Sequence, residues 1–245
     1  MVLQETLSLF SWLDAAALAL LFVAWFGIGW RIEHPMHDRE SISNMMGTYR
    51  QDWMREMVTR QPRIFDSAIL DSLRQGTIFF ASSSMIAIGG GLALIGNPEP
   101  LRDVATDLTL GQAPELVWEI KILLILFFLT SAFLKFVWSH RQFGYCAVLM
   151  ASVPNDPEDP RTYPRAQKAA EINILASRSF NRGMRSIYFS LSAVGWLAGP
   201  LGLIIGTLAV LFVIWRREFA SHSRDVIRRD DLDPASPEPR AKLTE

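Results

Sequence analysis

Several stretches of this chain are apolar over a length that fits a lipid bilayer, and nothing else in the sequence constrains its fold as strongly. LFSWLDAAALALLFVAWFGIGW occupies residues 9–30, IFFASSSMIAIGGGLALIG occupies 78–96, and LVWEIKILLILFFLTSAFLKFVW occupies 116–138. A last apolar block runs from Ile187 to Trp215. A helix needs about 20 mainly apolar residues to cross roughly 30 Å of hydrocarbon, where every backbone amide must be satisfied within its own segment. Half of the 245 residues are hydrophobic, but it is their bunching that separates a membrane bundle from a soluble core. The expected class is all-α, a polytopic transmembrane helix bundle with amphipathic cytoplasmic helices. MVLQETLSLF has no Lys or Arg ahead of the first run, so that run is expected to remain as an anchor rather than be cleaved.

The net charge of -1 conceals an asymmetry. Seven arginines, Arg31 to Arg74, lie between the first and second runs, and only Arg102 lies between the second and third. Seven more basic residues follow, from Arg141 to Arg185. The positive-inside rule makes both Arg-rich loops cytoplasmic and places the amino terminus and the 97–115 loop outside. A single helix over Ile187–Trp215 would carry Arg216 and Arg217 to the wrong side. At about 1.5 Å per residue it would also reach about 43 Å, too long for the hydrocarbon. A turn at Gly199-Pro200 removes both conflicts, since glycine suits the end of one helix and proline the first turn of the next. Five crossings are therefore preferred, at about 9–30, 76–96, 116–138, 185–199 and 200–216, with Arg185 snorkelling at the start of the fourth. One kinked helix, hence four crossings, is the alternative. A single membrane domain over 1–229 would be followed by a polar, proline-broken tail, 230–245, expected to be disordered. With five crossings the carboxyl terminus is cytoplasmic, and the expected location is the bacterial inner membrane.

The cytoplasmic segments, about 40–74 and 165–184, also read as helical. Met45, Met46, Tyr49, Trp53 and Met57 recur at helical spacing, with Arg50, Arg55, Glu56 and Arg60 opposite them. That Met-rich face could take a partner helix or lie on an anionic leaflet, or it could pack on the chain's own second cytoplasmic helix. In the second span Ser83, Ala87 and Gly91 form a small-xxx-small stripe, with Gly76 on a nearby face, of the kind that lets helices approach closely in lipid. Helix packing or oligomer contact is the first reading of that stripe. A pore lined by Ser82, Ser83 and Ser84 is the second.

Charge inside hydrocarbon is costly and often functional. Asp14 and Lys121 could form an intramembrane ion pair, or could be solvated at the interface together with Glu119. Lys135 reads as a snorkelling residue. His34, His37 and His140 all fall near the inner surface with Asp38, and neutral imidazoles with a carboxylate would suit zinc or iron. Their spacing is weak as a motif, so no metal and no cofactor is called. Cys146, the only cysteine, excludes an internal disulfide and reads as a small apolar filler. No P-loop, GxSxG elbow or GxGxxG fingerprint occurs, and GGG at 89–91 lies within a span.

RIEHPMHDRESISNMMGTYRQDWMREMVTR, then ILDSLRQGTIFFASSSMIAIGGGLALIG, then FNRGMRSIYFSLSAVGWLAGPLGLIIGTLAVLFVIWRREF, resemble in their order the bacterial and plant membrane proteins grouped as domain of unknown function family 599. The resemblance covers about residues 10–220 and implies an integral membrane protein of unassigned activity, with no catalytic residue to carry over. The first functional reading is therefore a non-enzymatic structural, accessory or self-associating membrane protein. A channel or small-solute transporter is the alternative, and a metalloprotein using the inner-surface histidines is the second alternative. The expected partners are the lipid bilayer and a second copy or another membrane protein, with no nucleic acid.

Overall fold

The structure is a computed structural model that describes residues 10–34, 40–96 and 114–229. His37, Asp38, the 97–113 stretch and the 230–245 tail lie outside the described residues. The described elements are all helical: α1 (Trp12–Glu33), α2 (Ile42–Glu56), α3 (Ile64–Gly96), α4 (Glu115–Ala151), α5 (Thr162–Val194), α6 (Pro200–Phe219) and the short α7 (His222–Ile227), with single 3-10 turns at Met57–Thr59 and Gly195–Ala198. Three of them, α1, α3 and α4, are long and apolar enough to cross a membrane, and so is the Pro200–Ile227 stretch. The chain is an all-α polytopic bundle.

The start of α1 is set by Ser11, which accepts from the Asp14 amide while the Asp14 carboxylate accepts from the Ser11 amide at 3.0 Å, a reciprocal capping box. Ser41 caps α2 and also donates to the Ile32 carbonyl at 2.9 Å, tying that helix to the end of α1. α2 ends at Glu56, earlier than the expected helical segment, and α3 begins at Ile64 and runs without a break through the apolar stretch to Gly96.

The last apolar block is a hairpin. Gly199 has φ 102°, a left-handed conformation glycine adopts without a Cβ penalty, and Pro200 opens α6. Gly195 lies against Gly202, and Ser192 Oγ and Thr207 Oγ1 are 3.0 Å apart, so the two arms run antiparallel. The first arm is the end of α5, which is continuous from Thr162.

α5 is the least apolar of the long helices and the most central. It packs against α1, α2, α4 and α6, and it buries Ser186, Ser190 and Ser192. A helix covered by protein on most sides need not be apolar to sit at membrane depth, because its hydroxyls find partners on neighbouring helices.

Two apolar cores follow. One joins Leu21, Phe128, Phe189, Trp196 and Leu203 across α1, α4, α5 and α6, with Phe22 stacked on Phe128 and Trp25 and Phe127 meeting it edge-on. The other joins Met54, Met57, Leu70, Phe143, Cys146 and Ala169 where α2, α3, α4 and α5 meet. α3 is peripheral: only 6% of its most apolar window is buried, against 39% for α4. It leans on α4, with Phe80 reaching Phe136 and Phe180.

Candidate functional site

Polar side chains gather at the two ends of the bundle. At one end Asp14 accepts a hydrogen bond from Trp196 Nε1 at 2.8 Å, while the Lys121 ammonium lies over the Trp118 and Trp196 rings at 5.1 and 5.8 Å. Asp14 and Lys121 therefore share Trp196 as a neighbour instead of pairing directly. The carboxylate is already used by the capping box and the indole, and the ammonium takes the aromatic faces.

At the other end Glu33 grips two arginines. Its Oε1 accepts from Arg182 Nε at 2.9 Å and from Arg185 Nη2 at 2.6 Å, and its Oε2 accepts from Arg182 Nη2 at 2.5 Å. The Arg185 side chain is 10% exposed and that of Arg182 is 49% exposed, so the first is a buried structural ion pair and the second remains reachable from outside. Arg185 does not snorkel; it turns into the bundle to meet α1. Lys135 does the same, with Nζ donating to Ser131 Oγ at 2.8 Å and Ser186 Oγ at 2.9 Å and lying 4.8 Å from the Trp25 ring centroid. Along α1, Asp14 and Glu33 are about 28 Å apart at helical rise, close to the hydrocarbon thickness of roughly 30 Å.

Cations are in excess at the Glu33 end. Among the described residues Lys135, Arg178, Arg182 and Arg185 lie there with Glu33, while Glu218 nearby accepts from Ser43 Oγ at 2.9 Å. Arg178 takes part in no ion pair among the described residues. A cavity of about 480 Å³ opens between α4 and α5 beside Lys135, Arg178 and Arg182.

A chain whose apolar and polar segments occur in this order matches a family model described as protein of unknown function, DUF599, over residues 16–223. The chain belongs to the DUF599 family. No curated protein and no solved structure matches it.

The other sequence candidates are distributed as follows. The stripe Ser83, Ala87, Gly91 is divided: a Cβ on Gly91 would lie 2.6 Å from Leu126 of α4, whereas Ser83 and Ala87 are exposed. The buried stripe of α3 is Leu70, Thr77 and Ser84, continued by Gly91, a seven-residue repeat that keeps one face on a neighbour crossing at a shallow angle. Ser83 and Ser84 bond back to the carbonyls of Phe79 and Phe80 at 2.8 and 2.7 Å.

The Met-rich face is divided as well. Met57 is fully buried, Trp53 donates Nε1 to Asp66 Oδ1 at 2.7 Å, Met45 is half-buried, and Met46 and Tyr49 are exposed. Met54, outside the expected face, is fully buried against α5.

The described histidines do not meet. His34 stacks on Trp30, and His140 Nδ1 lies 3.3 Å from Thr77 Oγ1. Among the described residues no three His, Cys, Asp or Glu side chains could hold a metal ion.

Two features escaped the sequence reading. The SWLD capping box at residues 11–14 carries a readable signal, Ser followed three residues later by an acid before an apolar run. The Glu33 cluster carries none, because its members are about 150 residues apart in the chain.

Proposed function

We propose that this DUF599 protein is a non-enzymatic, self-associating component of the bacterial inner membrane, crossing it five times with its amino terminus outside and its carboxyl terminus cytoplasmic. The observation that carries self-association is the position of α3. This helix leans on α4 alone along most of its length and turns Ser83 and Ala87 away from its own bundle. Lipid offers no hydrophobic drive for helices to associate, so small residues that allow close approach are the usual means. The orientation rests on the arginines, which concentrate at the Glu33 end. Exposed Met46 and Tyr49 on α2 offer that end a second surface, for a membrane partner or the leaflet.

A channel or transporter is less well supported. Discontinuous helices at mid-membrane would favour it, but the Gly199-Pro200 turn stands next to Trp196 and so at the Asp14 end. Ser83 and Ser84 donate to carbonyls of their own helix.

The test is the native mass of the gently extracted protein in lipid nanodiscs, with every polypeptide in the particle identified. A homo-oligomer for the wild type, and a shift to monomer for Ser83→Leu/Ala87→Leu, is the expected result. A lone wild-type monomer, or a stoichiometric foreign partner in place of a second copy, overturns the self-association reading.

A further inference from the structure

The cavity between α4 and α5 at the Glu33 end has features that none of the preceding assignments uses. On the α4 side it is lined by Ser131, Leu134, Lys135 and Trp138, residues that share one helical face. On the α5 side it is lined by Arg178 and Arg182, with Ser179 buried at its base and bonded to Gln142 at 2.7 Å. Among the described residues the walls thus carry three cationic side chains and no carboxylate, with Glu33 reaching Arg182 from outside the cavity lining.

Each cation keeps donor capacity. The Lys135 ammonium is held by two neutral hydroxyls and the Trp25 ring face, Arg178 has no ion-pair partner among the described residues, and Arg182 shows Glu33 one edge of its guanidinium while its Nη1 takes no part in that contact. The site therefore fits an anion, and charge-assisted hydrogen bonds from Lys and Arg to phosphate oxygens are of the strong class.

The outer wall is apolar and open. Leu134 is 60% exposed and Trp138 49% exposed, and Phe127, also exposed, continues the same face one heptad toward the Asp14 end. Such a strip beside the cations accommodates an acyl chain running into the hydrocarbon. Tryptophan is favoured where hydrocarbon meets headgroups. The Glu33 level also lies one hydrocarbon thickness from Asp14, which is where a phosphate plane would be.

We propose that this groove binds the anionic phosphate of a phospholipid headgroup, with Lys135, Arg178 and Arg182 as the phosphate ligands and the Phe127, Leu134 and Trp138 strip against an acyl chain. Basic pockets between transmembrane helices are a recurrent means of holding anionic lipids. The inference rests on the membrane-spanning arrangement and not on self-association.

The test uses the full chain in nanodiscs containing equal phosphatidylglycerol and phosphatidylcholine, followed by native mass spectrometry of the lipid retained per chain. Wild type should retain one phosphatidylglycerol in preference to phosphatidylcholine. Lys135→Gln/Arg178→Gln should lower that preference by about tenfold, Lys135→Arg should keep it, and Arg161→Gln, in an exposed ion pair elsewhere, should leave it unchanged. Arg178→Gln alone changes an exposed side chain, so its several-fold loss is readable even if the double variant does not fold. Equal retention of the two lipids by the wild type, or wild-type retention by both Gln variants, overturns the site. Displacement of phosphatidylglycerol by millimolar inorganic phosphate overturns the lipid as the source and assigns the groove to soluble phosphate. The same spectra report chain stoichiometry separately from lipid adducts, so failure of one proposal is distinguishable from failure of the other.

Discussion

Trp196 is 2% exposed and serves two charges at once, donating to Asp14 and turning its ring toward Lys121. Trp196→Phe keeps most of the packing and removes the N–H, leaving Asp14 without one of its donors. The expected loss is about 1–3 kcal/mol, the usual cost of stranding a buried acceptor, read as a lower unfolding temperature in nanodiscs; an unchanged temperature would mean that water takes over the indole's role. Glu33→Gln acts on the opposite end by removing the charge that holds Arg182 and Arg185. A loss of about 2 kcal/mol is expected, and a neutral result would show that the two arginines are satisfied by other groups. Outside the membrane segments, Asp159 is held down to about 2, first by the Arg161 side-chain hydrogen bond and then by the Arg161 amide. Because the folded value lies below the ordinary one, the ionised form is favoured by folding. Its contribution is complete above the ordinary carboxylate range near pH 4 and is lost as pH falls through about 2. The pair is exposed, so the effect is small and screened. Carboxylate NMR of Arg161→Gln should show the Asp159 titration moving up toward its ordinary value.

Among the elements, the α5–α6 hairpin has the least tolerance. A Cβ on Gly202 would lie 2.2 Å from the Gly195 carbonyl oxygen, and one on Gly195 would lie 2.5 Å from that of Gly202. These are backbone contacts that no rotamer change relieves. Gly202→Ala is expected to destabilise by about 3 kcal/mol or to separate the arms. Gly27→Ala, where nothing lies within 4 Å of the added carbon, should stabilise by about 0.5–1 kcal/mol through helix propensity. Equal melting temperatures for the two variants would refute the close approach. The turn itself was legible, since a Gly-Pro pair inside an overlong apolar block has few other uses. Which face of α3 would be covered was not, because the small residues satisfy a four-residue stripe and a seven-residue stripe equally well. The second is chosen by α4, where Leu126 meets Gly91 and Phe136 meets Phe80.

For the whole molecule, the proposed five-crossing arrangement requires the Gly199 turn and the α4–α5 connection to lie on opposite faces of the membrane. In a Cys146→Ser background, Ala198→Cys should react with an impermeant thiol reagent added outside intact cells, and Ala151→Cys should react only after the membrane is opened. Labelling of both from one side would refute the five-crossing arrangement. The apolar runs and the helix-breaking pair determined the fold class and where most of the long helices lie, because hydrocarbon thickness and the need to satisfy backbone amides act on each segment by itself. α5 shows the limit of that logic: its lower half is polar enough to read as a cytoplasmic helix, yet it is one continuous element through the centre of the bundle. The pairing of Glu33 with Arg182 and Arg185, the turning inward of Lys135, and the exposure of Ser83 and Ala87 were decided only by tertiary structure. Those outcomes depend on which helix faces meet across large separations in the chain, and local periodicity specifies a face without specifying what it will touch.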